Sequence, residues 1–266
     1  MSKAKRSPPA APEEEEVDSR LYVQAVEKAF RVLEVFGTLQ RPLSLSEIAE
    51  ASGLDKSGAQ RMCYTLRRLG YLAADEHGRG HVPGLRLMDR SYDFLRMHPL
   101  VQRATPPLMD LRRTTQERVD LSLPDDLSII YAVRLQSKRE TFAATLVGRR
   151  LPTFASSGGR AMLAYRSDEE VESVLRRSDR RAATPRTVVD LPGLRAKVEE
   201  ARALGYALAL EEWFLGEIVL AAAVTDGQGR PVGAIHIAGS LAEWDAEEFR
   251  RRMAPLAMEA ARALSG

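Results

Sequence analysis

The sequence predicts an α+β protein in two parts: a small helical unit closed by a short hairpin, then a larger unit in which helices flank an antiparallel sheet. Three observations carry this expectation. At roughly 150 residues per domain, 266 residues suggest two domains, each able to bury a core. Apolar residues in the first third recur at helical spacing between clear start and stop signals. The strands of the second half come as hairpins joined by polar turns, without the repeated strand-helix-strand crossovers of a parallel sheet.

Composition narrows the function classes. Hydrophobic residues make up 44% and charged residues 29%, ordinary for a soluble globular chain. Lys and Arg number 39 against 37 Asp and Glu, a net charge of +2, so any nucleic-acid contact must come from a local patch. The single Cys63 supplies neither an internal disulfide nor paired zinc thiolates, which fits a reducing, cytoplasmic setting. The N-terminal segment lacks the apolar core of a signal peptide, and no apolar run is long enough to span a bilayer, so no membrane partner is expected.

Residues 1–21, with paired prolines and the run Glu13 to Glu16, read as a disordered tail. Val26, Phe30, Leu33 and Phe36 then mark one helix stripe, which Gly37 to Pro42 ends. Ser44 to Glu47 is a capping box opening a short helix over Leu45 to Ala51. Ser52-Gly53-Leu54 is a turn, and Asp55 caps a second helix reaching Leu69, where Gly70 stops it. Residues 71–74 and 81–82 read as short strands around the tip Asp75 to Gly80. Leu85, Met88, Tyr92 and Leu95 stripe a linker helix over 85–98, which Pro99 terminates.

A helix with Leu108 and Leu111 follows, Pro106 standing at either its first turn or a kink. Val119 to Leu123 alternates strictly, Pro124-Asp125-Asp126 turns, and Leu127 to Leu135 returns as a hairpin. A third strand is expected over Phe142 to Val147. Ser167 to Glu170 opens a helix with a second capping box, and a helix over Leu194 to Leu204 ends at Gly205. Strands are expected at Tyr206 to Glu211, Ile218 to Thr225 and Val232 to Ile237, the last two joined by the turn Asp226 to Gly229. A closing helix from Asp245 carries Phe249, Met253, Leu256, Ala260 and Leu264 on its apolar face.

Two constellations carry chemistry. On the helix after Leu54, Ala59, Met62, Cys63, Leu66 and Leu69 fall on one face, and Lys56, Ser57, Gln60, Arg61, Tyr64, Arg67 and Arg68 on the other. Lys and Arg bind phosphates, Arg can bond two atoms of a guanine edge, and Gln can do the same for adenine. A charged helix face taken alone is usually just solvated. Here the preceding short helix, the Gly53 turn and a following hairpin with Arg79 at its tip give the order of a winged helix-turn-helix, which sets such a helix in the major groove.

The second constellation is Ser156-Ser157-Gly158-Gly159, before a helix from about Arg160 to Tyr165. Amides at a helix start can hold a carboxylate that glycines allow close, although an ordinary capped helix reads the same way. His236 shares its strand face with Ala234 and Ala238, small neighbours that leave room for a ligand, while a hydrogen-bonded structural histidine is the plainer reading. Trp213 and Phe214 would line a pocket or pack in the core. The four histidines, at 77, 81, 98 and 236, show no metal-ligand spacing, Cys63 lies on an apolar helix face, and Glu211 and Glu212 as strand neighbours point apart. No catalytic residue, metal or cofactor is therefore expected. A sensor that regulates a protein partner is the alternative, with a cryptic hydrolase further behind.

Leu45 to Leu54 (LSEIAEASGL), Arg61 with Leu66, Gly70 and Tyr71, and Val82 to Leu85 (VPGL) resemble the winged helix of the IclR family of bacterial transcriptional regulators. Gly148 to Pro152 (GRRLP), Ser157 to Ala164 (SGGRAMLA), and Gly205-Tyr206 leading to Glu211-Glu212, Gly216 and Ala221-Ala222 are similar to that family's effector-domain signature. The resemblance covers about residues 22–264. It implies a winged helix-turn-helix over 22–84, a linker helix over 85–98 and a GAF-like antiparallel-sheet effector domain over 99–266. It also implies homodimers or tetramers on double-stranded operator DNA, repressing or activating catabolic or metabolic genes. The effector is expected to be a small organic acid, aromatic acids included, because the helix-start amides of Ser156, Ser157, Gly158, Gly159 and Arg160 favour a carboxylate and Val219 and Ala238 offer an apolar wall to its body, with His236 beside them; by the resemblance, positions 219, 236 and 238 are ones that approach the effector. The sequence departs from the family here: Val219 and Ala223 stand where many members have Cys and Pro, and His236 and Ala238 where several have serines. The identity of the family's usual ligands therefore does not transfer.

Overall fold

In the computed structural model the described residues are 18–137 and 146–266. They divide between Asp93 and Phe94 into two compact units. The expected tail lies outside the described residues up to 17, as does most of the strand expected over Phe142 to Val147. Among the described residues no helix is long and apolar enough to cross a membrane.

The first unit holds α1 (Gln24–Leu39), α2 (Leu45–Ser52) and α3 (Lys56–Arg68), then the antiparallel strands β1 (Leu72–Ala74) and β2 (His81–Pro83). Val32, Val35, Phe36, Leu43, Ile48, Cys63, Leu66 and Leu72 form its core. The expected α1 stripe is corrected. Val26 and Phe30 are exposed, while Val32 and Val35 are buried; the helix ends at Leu39, within the expected Gly37 to Pro42 stop, where Gln40 takes the left-handed conformation. Both halves of the Ser44/Glu47 capping box form, and Arg41 together with Ser44 holds the Glu47 carboxyl down at about 2. Gly53 takes the left-handed conformation that the tight α2–α3 turn demands. Leu69, expected on the apolar face of α3, is exposed.

The division between units falls inside α4 (Arg86–Met97). Next comes α5 (Pro99–Thr115), with Pro99 at its first position; Pro106 lies inside this helix and not in its first turn. The second unit is built on one antiparallel sheet. Its strands are β3 (Arg118–Asp125), β4 (Ser128–Leu135), β5 (Arg150–Pro152), β6 (Ala207–Leu210), β7 (Glu217–Thr225) and β8 (Pro231–Ser240), in the order β5-β4-β3-β8-β7-β6. One face packs against α5 and α9 (Ala246–Leu264), burying Leu108, Leu121, Leu220, Ile235, Ile237 and Phe249. The other face meets α6 (Ser157–Leu163), every residue of which is buried. Ala161 and Met162 pack on Ala221, Ala223 and Ala234, small side chains that let the helix approach the sheet closely. Beyond α6, Phe154, Leu163, Leu175, Leu194 and Val198 form an outer core with α7 (Asp168–Arg177) and α8 (Leu191–Leu204).

Candidate functional sites

All seven polar residues expected on the outer face of α3, Lys56, Ser57, Gln60, Arg61, Tyr64, Arg67 and Arg68, are exposed, and Ala59, Cys63 and Leu66 are buried beneath them. Asp55 caps the helix through the Gly58 amide. The helix carries four cations and no acid. Arg79 is exposed at the tip of the β1–β2 hairpin, where its backbone amide donates to the Asp75 carboxylate at 2.8 Å and Gly78 turns the chain. Elsewhere exposed arginines such as Arg41, Arg177 and Arg195 pair with carboxylates. Among the described residues Lys56, Arg61, Arg67, Arg68 and Arg79 do not, and their charge stays open to a polyanion.

On the α6 face of the sheet, cross-strand register sets Asp120 of β3 between Arg134 of β4 and His236 of β8. Asp120 is fully buried and accepts from Arg118 Nε at 3.0 Å and from Arg134 Nε at 3.2 Å. Arg118 reaches on to Glu217 at 2.8 Å. Burial works against the Arg118 charge, but Asp120 and Glu217 outweigh it and raise its pKa above the ordinary value.

His236 is also fully buried, with Nε2 2.8 Å from Ser122 Oγ and its ring 5.1 Å from that of Tyr131. Burial pushes its pKa down to about 4, so the imidazole is neutral near pH 7. Gly158 lies directly against it: a Cβ there would sit 2.3 Å from His236 Cε1. The room expected beside His236 from its small strand neighbours is thus filled by α6.

Arg160 is 1% exposed and Glu212 4%. They form a two-pronged ion pair, Nη1 to Oε1 at 2.6 Å and Nη2 to Oε2 at 2.5 Å, while Arg160 Nε donates to the Phe154 carbonyl at 2.8 Å. Glu211 and Glu212 lie past the end of β6 in a turn where Glu211 has φ 56°, so their expected strand placement is corrected. Two of the amides at the helix start are engaged as well: Gly159 N donates to Ser156 Oγ at 3.1 Å and Arg160 N to the Ser156 carbonyl at 3.0 Å.

Two cavities open beside this network. The inner one is narrow, about 20 Å³ or room for roughly one water, and is lined by Ser156, Ser157, Val219, Tyr131 and Trp213 among others. The Ser157 hydroxyl is buried there without a hydrogen-bond partner. The outer cleft, about 330 Å³, is lined by Arg118, Arg134, Arg149, Phe214, Leu215, Glu217 and Ala238, and shares Phe214 and Glu217 with the inner cavity. Of the residues expected to meet an effector, Ser156, Ser157 and Val219 therefore come together at the inner cavity and Ala238 stands in the cleft. Gly158, Gly159, Arg160 and His236 line neither and serve the packing of α6. Sequence reasoning missed Arg118, Asp120, Arg134, Arg149 and Glu212. The alternation of Val119 to Leu123 does put Asp120 and Ser122 on one face, but nothing local shows that α6 covers it.

A winged helix-turn-helix with an open cationic face, joined in one chain to an α+β unit holding polar cavities, defines a DNA-binding protein of the ligand-responsive class. Residues 93–266 match the family described as bacterial transcriptional regulator IclR C-terminal, and residues 25–76 match the IclR helix-turn-helix domain. The chain belongs to the IclR family of transcriptional regulators. It is 28% identical to the glycerol operon regulatory protein of Streptomyces coelicolor, over 91% of this chain and 95% of that protein. Among solved structures, a transcriptional regulator of Rhodococcus sp. RHA1 is 28% identical with a TM-score of 0.78, over 91% of this chain and 97% of the other. An IclR homologue of Microbacterium hydrocarbonoxydans, crystallised with 4-hydroxybenzoate, shares the fold at 24% identity and a TM-score of 0.73, over 90% and 97% of the two chains.

Proposed function

We propose that the chain acts in the cytoplasm as a homodimer or tetramer, reading double-stranded operator DNA with α3 and Arg79 and answering to a small organic acid bound on the α6 face of the sheet. In this reading residues 22–84 bind DNA, 85–98 link, and 99–266 bind the effector. The role is regulation and not catalysis. The observation that carries it is the outer face of α3, four cations without a carboxylate partner among the described residues, beside a hairpin tipped by Arg79. Leu85, Met88 and Tyr92 support assembly, since all three are exposed on one stripe and a single winged helix buries too little DNA to select one genomic site. That a relative of the same fold holds an aromatic hydroxy acid supports the effector class.

To regulate, the acid must bind one conformational state better than another, because equal affinity shifts nothing. Retardation of the DNA upstream of the chain's own gene tests the reading. Arg61→Ala should weaken specific binding by about 1–3 kcal/mol and relax base preference, while Arg79→Ala should weaken all sequences alike and lower the salt slope by about one. No retardation at low salt would leave the protein-regulating sensor as the better reading.

A further inference from the structure

We propose that the effector's carboxylate binds at Arg149 in the outer cleft, and that the cleft takes a small planar monocarboxylate whose flat body rests on Phe214 and Leu215. This rests on the reading of the second unit as a ligand domain and names the place and chemistry of its ligand.

Two of the three arginines in the cleft are already neutralised: Arg134 by Asp120, and Arg118 by Asp120 and Glu217. Arg149 is the exception. It follows Gly148, whose φ of +81° turns the chain before β5, and it is half-buried. Among the described residues it has no carboxylate partner, and its guanidinium lies 4.7 Å from the centroid of the Phe214 ring. Burial, then the like charge of Arg134 with a smaller part from Arg118, outweigh the opposing pull of Tyr131 and Glu217 and depress its pKa from the ordinary value, so an anion in contact with it would relieve both desolvation and repulsion.

The acids around the cleft set the ligand's charge. Glu217 is held by Arg118 at 2.8 Å, and Glu117 accepts from Trp244 Nε1 at 2.9 Å. Counted with Asp120, three carboxylates face the three guanidiniums of the cleft, and Arg149 is the one with no carboxylate in contact among the described residues, a place for one negative charge at most. A dianion such as phosphate would set its second charge against Glu217 with no cation to meet it. The cleft's 330 Å³ falls at the small end of ligand pockets, a fit for a single ring or a short conjugated acid. The inner cavity, with space for about one water, takes no ring. Phe214 and Leu215 are both exposed at the cleft, offering an apolar platform beside the cation.

The test is titration calorimetry of the full chain with sodium benzoate, benzamide and inorganic phosphate as probes. Benzoate should bind saturably, with benzamide and phosphate at least tenfold weaker. Arg149→Met should cut benzoate affinity at least tenfold, and Arg149→Lys should recover part of it, since an ammonium keeps the charge and loses the two-pronged geometry. Circular dichroism checks that both variants stay folded; if Arg149→Met does not, the Arg149→Lys variant and the probe series decide. Absence of benzoate binding, equal binding by Arg149→Met, or benzamide or phosphate binding as tight as benzoate would overturn the inference. Operator retardation on the same preparation separates the two levels: retardation without benzoate binding sinks this inference alone, and Arg149-dependent benzoate binding without retardation sinks the regulator reading alone.

Discussion

Removing the charge of Arg160 should cost the second unit more than any other single substitution at the α6 face. The guanidinium satisfies both oxygens of Glu212 and the Phe154 carbonyl. In Arg160→Met the Glu212 carboxylate would stay buried with the Val188 amide, 3.2 Å away, as its remaining side-chain partner. Leaving one member of a buried ion pair uncompensated costs about 3–5 kcal/mol, and the orphaned Phe154 carbonyl adds about 1. At about 2–4 °C per kcal/mol for a domain of this size, the melting transition of the second unit should fall by roughly 8–24 °C. Arg160→Met combined with Glu212→Leu removes both charges and should recover most of that loss, because apolar replacements of a buried pair are often near neutral. Urea unfolding followed by circular dichroism reads all three proteins. A single variant within about 1 kcal/mol of the parent would refute the packing argument, and an Arg160→Met protein of full stability but without effector response would return Arg160 to the ligand.

Three further outcomes follow from the same geometry. Gly158→Ala should destabilise by about 1–3 kcal/mol through overpacking, because its Cβ would meet the His236 ring at 2.3 Å; adding His236→Ala should relieve the clash, and denaturation showing strictly additive losses would refute it. His236 ionises near 6.5 when unfolded and at about 4 when folded, so the stability its neutral form contributes is complete above pH 6.5 and lost as pH falls towards 4, up to roughly 3 kcal/mol. Unfolding of His236→Gln measured across that window should lack this component, and identical pH slopes for the two proteins would count against it. Met88→Glu, on the exposed stripe of α4, should shift the mass in light scattering towards the monomer and abolish operator retardation, whereas an unchanged mass would move the interface elsewhere.

What the sequence makes legible is the local chemistry. The capping boxes at Ser44/Glu47 and Ser167/Glu170 form as read, and Gly53 and Gly205 end their helices in the left-handed conformation, because caps and stops depend on residues a few positions apart. The polar face of α3 is legible for the same reason. Periodicity fails where tertiary partners decide which face is buried: the apolar Val26 and Phe30 stay exposed, while strand positions Asp120 and Ser122, polar and alternating, are sealed under α6. The effector region is the hardest part, since its contacts join residues far apart in the chain, Arg160 with Glu212 and Ser122 with His236.

The glycines of α6 show why such a site resists sequence reading. A glycine pair at a helix start says only that something approaches the backbone more closely than a Cβ allows, and a ligand carboxylate and a neighbouring side chain satisfy that equally well. Here the approaching groups are His236 at Gly158 and the Thr153 carbonyl at Gly159. In this chain the space beside Gly158 is filled by a neutral imidazole ring. An effector entering the same domain must then either displace that ring, at the cost of a buried hydrogen bond and close packing, or settle further out. Arg149 stands there with a charge that no carboxylate among the described residues meets, which makes the outer site the cheaper of the two.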